Sequence, residues 1–184
     1  GSEMCIRDRY ILGNSQNQFK VNTIEEKKAD GIKVPEIKYI ITLDSDTELV
    51  LNTGLELIGA MAHILNQPIL NNDKTKVTHG YGIMQPRVGI NLRAVGKTKF
   101  TKIYAGLGGT DSYTNAISDF YQDNFGEGIF TGKGIYDLQV FSEVLKNQIP
   151  ENTVLSHDLL EGNYLRCALA SDVILLDGYP TSYN

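Results

Sequence analysis

The sequence contains no tryptophan, only two cysteines, and no run of lysine and arginine long enough to build a basic face. Each shortage excludes something. Cys5 and Cys167 are too few for a disulfide framework or a cysteine metal cluster, and they suit the reduced thiols of a cytosolic protein. Cys167 reads as a small buried hydrophobe within a helical segment. No stretch approaches the roughly 20 apolar residues that a membrane span requires, and the opening GSEMCIRDRY lacks the apolar core of a signal peptide. A formal charge of −5 and a pI near 5.2 argue against a nucleic-acid binder, which needs clustered basic residues. A phosphate-bearing ligand stays possible if a divalent cation supplies the missing positive charge.

What is there is ordinary globular material: 184 residues, 41% hydrophobic and 21% charged, enough for one domain with a real core or a large piece of a bigger one. Residues 1–10 do not merge with the pattern that follows. Their MCIRDR resembles a translated adapter sequence, so they are set aside as an artefactual or disordered extension. Residues 11–36 form a polar approach segment, and residues 37–184 carry the fold.

Ile37 to Leu43 is a nearly continuous apolar, β-branched run, the pattern of a strand buried on both faces. It stops at Asp44-Ser45-Asp46-Thr47-Glu48. Leu57, Ile58, Met61, Ile64 and Leu65 recur at helical spacing before Pro68. A polar turn at Asn71 to Lys76 leads to a strand over Val77 to Met84, closed by Gln85-Pro86-Arg87. The stretch from Ile90 to Gly109 is glycine-rich and carries no clear period. Tyr113, Ile117, Phe120 and Tyr121 indicate a second helix. Ile129-Phe130-Thr131 reads as a short strand leading into Gly132-Lys133-Gly134. Leu138, Phe141, Val144 and Leu145 mark a third helix, closed by Pro150. Ser156 is placed to cap a fourth, with Leu160, Tyr164, Cys167 and Ala168 on its buried face. Val173 to Leu176 is one more strand. Strands alternating with helices predict an α/β layered sheet.

In such sheets ligands sit beyond the carboxyl ends of the strands, where Asp44 and Asp46 stand. Two carboxylates one residue apart repel unless a cation neutralises them, and Mg²⁺ or Mn²⁺ prefers such oxygen ligands. The plainer reading is a polar turn capping the next helix. An aspartyl-phosphate phosphatase motif fits less well, because Glu48 stands where Thr or Val belongs. An EF-hand fails: its Gly and Glu positions hold Leu49 and Leu55. Gly126 to Gly134 is not a P-loop, since five and three residues, not four, separate Gly126 and Gly128 from Gly132-Lys133, and Gly134 follows. Those glycines either admit a ligand close to the backbone or merely make turns. Asp158 is stabilised as an anion in the first turn of its helix, and an ionised carboxylate is what a general base must be. His157 is either a ligand, a neighbour that tunes Asp158, or a packing residue.

The order of these segments — strand-DSDT, GYGIMQPRVG, FGEGIFTGKGIYD, PENTVLSHDLLEG, SDVILLDGYPTSY — resembles the glycosyltransferase domain of cyclic β-1,2-glucan synthases (glycosyltransferase family 84), from about Tyr39 to Tyr183. That family is related to the processive family 2 polysaccharide synthases. The resemblance implies a GT-A-like α/β fold, a mixed sheet flanked by helices, here incomplete at both ends. It implies that Asp44 and Asp46 hold a divalent cation (Mg²⁺ or Mn²⁺) and the UDP diphosphate, and that Asp158 is the catalytic base. Gln85, Gly132, Lys133 and His157 would face the acceptor. Ser156-His157 replaces the Thr-Glu that precedes the base in the relatives.

The function implied is an inverting, metal-dependent transfer of glucose from UDP-glucose to a growing β-1,2-glucan. The alternatives are another polysaccharide synthase of the same fold with a different sugar or linkage, or an inactive sugar-binding module. The parent protein is expected in the bacterial inner membrane, anchored by segments outside this chain, with this domain soluble and facing the cytoplasm. The earlier strand that grips uridine in the relatives, and their downstream Gln-x-x-Arg-Trp-type segment, have no counterpart here. The excised chain is therefore expected to have little transferase activity.

Overall fold

A computed structural model describes residues 30–31, 36–91, 98–104, 120–146, 148–149, 154 and 156–178. Its centre is a five-stranded mixed sheet in the order β1-β6-β5-β7-β2: β1 is Tyr39–Thr42, β2 Thr47–Glu48, β5 Ile83–Ile90, β6 Gly134–Asp137 and β7 Cys167–Asp177. β5 and β7 run parallel, and the other pairings are antiparallel. A small hairpin, β3 (Ile69–Leu70) with β4 (Val77–His79), lies apart from it. The helices are α1 (Thr53–Ala62), α2 (Lys99–Tyr104), α3 (Phe120–Phe125), α4 (Leu138–Leu145) and α5 (Asp158–Leu165).

Strand alternation sorts the core into two layers. Ile40, Ile83, Tyr136 and Cys167 face one side, where Phe141, Val144 and Leu145 of α4 and Leu165 of α5 cover them. Met84, Ile135, Ala168 and Ala170 face the other, against Leu57 and Met61 of α1. Because both faces are covered, the central strands can be apolar at every position, which is the near-continuous pattern of a doubly buried strand. The expected α/β layering with a mixed sheet is thus observed. The α4 helix matches its expected buried positions: Leu138, Phe141, Val144 and Leu145 are all buried. Asp137 caps it, accepting from the backbone N–H groups of Gln139 (3.1 Å) and Val140 (3.0 Å).

Several local expectations are corrected. The strand placed at Val77 to Met84 is two strands, broken at Gly80. That residue has φ +65°, and a Cβ there would stand 2.0 Å from the Gln67 carbonyl oxygen. Nor does the strand stop at Gln85-Pro86-Arg87, since β5 runs on to Ile90. Pro86 is tolerated because β6 pairs only with Ile83 and Met84, and the register with β7 shifts between Pro86 and Arg87. On α1 only Leu57 and Met61 of the expected face are buried, whereas Ile64 and Leu65 beyond its end are exposed. The fourth helix ends at Leu165, because Arg166 takes φ +55°. Cys167 and Ala168 therefore open β7, and Cys167 is fully buried there as a strand residue. β7 is also longer than the Val173 to Leu176 segment. Tyr113, Ile117 and Pro150 lie outside the described residues, as do residues 1–29.

Candidate active site

The Asp44 to Thr47 segment is a tight turn joining β1 to β2, closed by the Thr47 N–H donating to the Asp44 carbonyl at 3.1 Å. It does not cap α1, whose N-cap is Asn52. The turn sits at the sheet end where β1 and β7 finish and β6 begins. β2 pairs with the end of β7 (Thr47 opposite Asp177), and the Gly178 N–H donates to the Asp46 carbonyl at 2.9 Å. These bonds stake the carboxylate-bearing turn to the sheet on two sides.

Lys133 reaches into this corner from the loop before β6. Its ammonium pairs with Asp44 Oδ2 at 3.1 Å and also with Asp177 Oδ2. Asp177 Oδ1 meanwhile accepts from Thr47 Oγ1 at 2.5 Å. Partial burial works to lower the Lys133 pKa, but the hydrogen bonds and charges of Asp177 and Asp44 outweigh it and raise it above the ordinary lysine value. Lys133 is therefore a fixed, fully charged cation between two carboxylates.

The loop that carries Lys133 is not the short strand expected at Ile129 to Thr131. Phe130 is buried, and Thr131 gives both its N–H (2.9 Å) and its hydroxyl (3.0 Å) to Gln85 Oε1 rather than to a strand ladder. Gln85 is itself fully buried, with Nε2 donating to the Pro86 carbonyl at 3.0 Å. Its side chain is committed to holding this loop, so it positions the site from behind instead of facing a ligand. Thr42 Oγ1 adds a bond to the Gly132 carbonyl at 3.1 Å. Gly134 is required by close approach: a Cβ there would meet the Met84 carbonyl oxygen at 2.1 Å.

Asp158 enters from α5. A Cβ on Gly132, which has φ +94°, would lie 3.3 Å from Asp158 Oδ2, so the glycine leaves the space that the carboxylate fills. Burial raises the Asp158 pKa; the Ser156 hydroxyl, donating to Oδ2 at 3.4 Å, opposes this, the negative charge of Asp44 adds to it, and His157 works against it. Ser156 thus serves the carboxylate rather than capping the helix; the N-cap is His157, whose side chain makes no cap bond. Among the described residues, His157 Nδ1 is buried without a hydrogen-bond partner.

The fold therefore gathers Asp44, Asp46, Gly132, Lys133 and Asp158 at one end of the sheet, with His157 beside Asp158 and Gln85 behind the loop. Sequence reading missed Asp177. The available signal was its place directly after the apolar run of β7, the same strand-end position that drew attention to Asp44. As a metal site, exposed Asp44 and Asp46 offer two hard oxygen donors, and no cluster of three or more ligating side chains occurs among the described residues. That set fits Mg²⁺ or Mn²⁺ held jointly with substrate phosphate, the usual way such ions bind, and not a self-sufficient protein cage.

No helix among the described residues is long and apolar enough to cross a membrane. No family model matches the chain. Over 153 residues the chain is 45% identical to the cyclic beta-(1,2)-glucan synthase NdvB of Rhizobium meliloti (strain 1021), a match covering 82% of this chain and 5% of that protein. Identity at that level over so much of the chain means common descent: the chain belongs with the cyclic β-(1,2)-glucan synthases, as a counterpart of about one twentieth of such a protein's length.

Proposed function

We propose that this chain is part of the catalytic centre of an inverting glycosyltransferase of GT-A type, moving glucose from UDP-glucose to a growing β-1,2-glucan. The observation that carries this reading is the position of Asp158. A carboxylate from a helix far along the chain stands against the Lys133 loop, near enough to Asp44 to feel its charge and desolvated enough to have a raised pKa. A base, a fixed cation and a strand-end carboxylate pair at one spot are the components of a direct displacement at an anomeric carbon.

The acceptor 2-hydroxyl attacks the anomeric carbon from the face opposite the diphosphate. Its proton passes to an Asp158 oxygen as the new C–O bond forms. The bond to the diphosphate breaks, and its electron pair leaves with UDP. A donor α-linkage becomes a β-linkage in this one step, with no covalent enzyme intermediate. Lys133 sets positive charge at the leaving-group side, and Gln85 holds the loop that carries it. A divalent cation at Asp44 and Asp46 would supply further charge stabilisation to the departing diphosphate. The parent polypeptide is proposed to lie in the bacterial inner membrane, with this domain on the cytoplasmic side.

The test is Asp158→Asn in a full-length synthase carrying this segment, assayed for glucan formation from UDP-glucose. Loss of a general base lowers kcat by about 10²–10⁴-fold, with UDP affinity, measured by calorimetry, unchanged. Turnover within a few-fold of the parent enzyme would remove Asp158 from the mechanism.

A further inference from the structure

Lys133 occupies a place that a metal-dependent reading leaves without explanation. Its ammonium is already bonded to Asp44, the first of the two carboxylates assigned to a divalent cation, at 3.1 Å. A lysine and a divalent ion cannot both take the same face of one carboxylate oxygen at full strength. The second partner of Lys133 behaves differently. Asp177 is fixed by strand pairing with Thr47, by the Thr47 hydroxyl, and by the Asn91 N–H donating to its carbonyl at 3.0 Å. The Asp44 side chain is 57% exposed, whereas that of Asp177 is 17% exposed. One end of the bridge is thus open to solvent and exchangeable, and the other is built in.

We propose that Lys133 is a resident cation that competes with the divalent ion for Asp44, and that Asp177 is the positioning residue that draws it aside when the ion binds. The inference rests on the metal reading given above. With the Asp44 contact broken, Lys133 stays on Asp177, still at the leaving-group side of the site. Charge at the corner is then never left uncompensated: lysine neutralises the carboxylates before donor and ion arrive, and remains nearby afterwards. The Asp177-to-Lys133 contact becomes a determinant of how tightly the ion is held, although Asp177 itself touches neither ion nor donor.

The experiment measures Mn²⁺ binding to the chain by calorimetry and by the electron paramagnetic resonance of free Mn²⁺, in the presence of saturating UDP. Lys133→Met removes the competitor and tightens Mn²⁺ by about two- to five-fold, the range expected for loss of one ion pair whose carboxylate end is open to solvent. Lys133→Arg keeps the charge and stays near the parent affinity. Asp177→Asn frees Lys133 to hold Asp44 alone and weakens Mn²⁺ by a similar factor, and this weakening disappears in the Lys133→Met background. Thermal melts check that each variant is folded, and Lys133→Arg with Asp177→Asn carries the comparison if Lys133→Met is not. Equal Mn²⁺ affinity across the series overturns the competition while leaving the metal reading intact. An Asp177→Asn effect that persists without Lys133 overturns the positioning role. Absence of Mn²⁺ binding by every variant, with and without UDP, removes the metal reading itself.

Discussion

Replacing Gln85 by leucine tests whether a fully buried amide, rather than an acceptor-facing one, holds the Lys133 loop in place. The change keeps roughly the same volume and deletes three hydrogen bonds: Thr131 N–H to Oε1 at 2.9 Å, Thr131 hydroxyl to Oε1 at 3.0 Å, and Nε2 to the Pro86 carbonyl at 3.0 Å. Each is worth about 1 kcal/mol net, and a donor left without a partner costs more. Leucine recovers part of this through apolar burial, so the expected net loss is about 2–3 kcal/mol. For a chain of this size each kcal/mol moves the midpoint by about 2–4 °C, giving a fall of about 5–10 °C in thermal unfolding followed by circular dichroism. Thr131→Val, which deletes only the hydroxyl bond, lowers stability by about 1 kcal/mol. Because both changes act on one interaction, the double variant is less destabilised than the sum of the singles, by about 1 kcal/mol. A drop below about 2 °C for Gln85→Leu, or strict additivity, would refute the assignment of Gln85 as the anchor of the loop.

Two further outcomes follow from the same corner of the molecule. Gly132→Ala forces φ +94° on a residue with a Cβ and presses that atom to 3.3 Å from Asp158 Oδ2. It lowers stability by about 1–3 kcal/mol in thermal melts and lowers kcat of a full-length synthase by more than the folded fraction accounts for; a kcat loss that only tracks the folded fraction would separate Gly132 from Asp158. Asp158 has a folded-state pKa raised by burial, so its proton-linked stabilisation is complete below the unfolded value of about 3.9 and is lost as pH rises through the folded value. Asp158→Asn therefore gains stability relative to the parent as pH rises across that window and holds the gain at neutral pH, as melts at a series of pH values will register; a gap that stays constant with pH would contradict the raised pKa.

Much of the fold was legible because burial leaves a local period. The strand before Asp44, the four core positions of α4 and the polar turn at Asn71 each follow from neighbouring residues alone, and so did the strand-end placing of the two carboxylates. The expected burial on both faces did not follow, because β1 is an edge strand with Tyr39 and Ile41 only half-buried and Leu43 exposed. The failures fall where a local pattern was cut by something distant. Leu160, Tyr164, Cys167 and Ala168 keep helical spacing, yet the left-handed backbone of Arg166 (φ +55°) ends the helix and sends Cys167 into the sheet. Pro86 reads as a strand stop, and only the short reach of β6 and the register shift against β7 make it harmless.

The site divides in the same way. Sequence alone determined which groups were present: a carboxylate pair after a buried strand, a lysine among glycines, and an aspartate in the first turn of a helix. Tertiary structure decided who meets whom. Lys133 and Asp177 lie 44 positions apart, and Gln85 and Thr131 lie 46 apart, separations across which no periodicity carries information. Their pairing is set by the order of the strands in the sheet, which turns Gln85 from a ligand-facing residue into a buried anchor and makes Lys133 the counterion of Asp44.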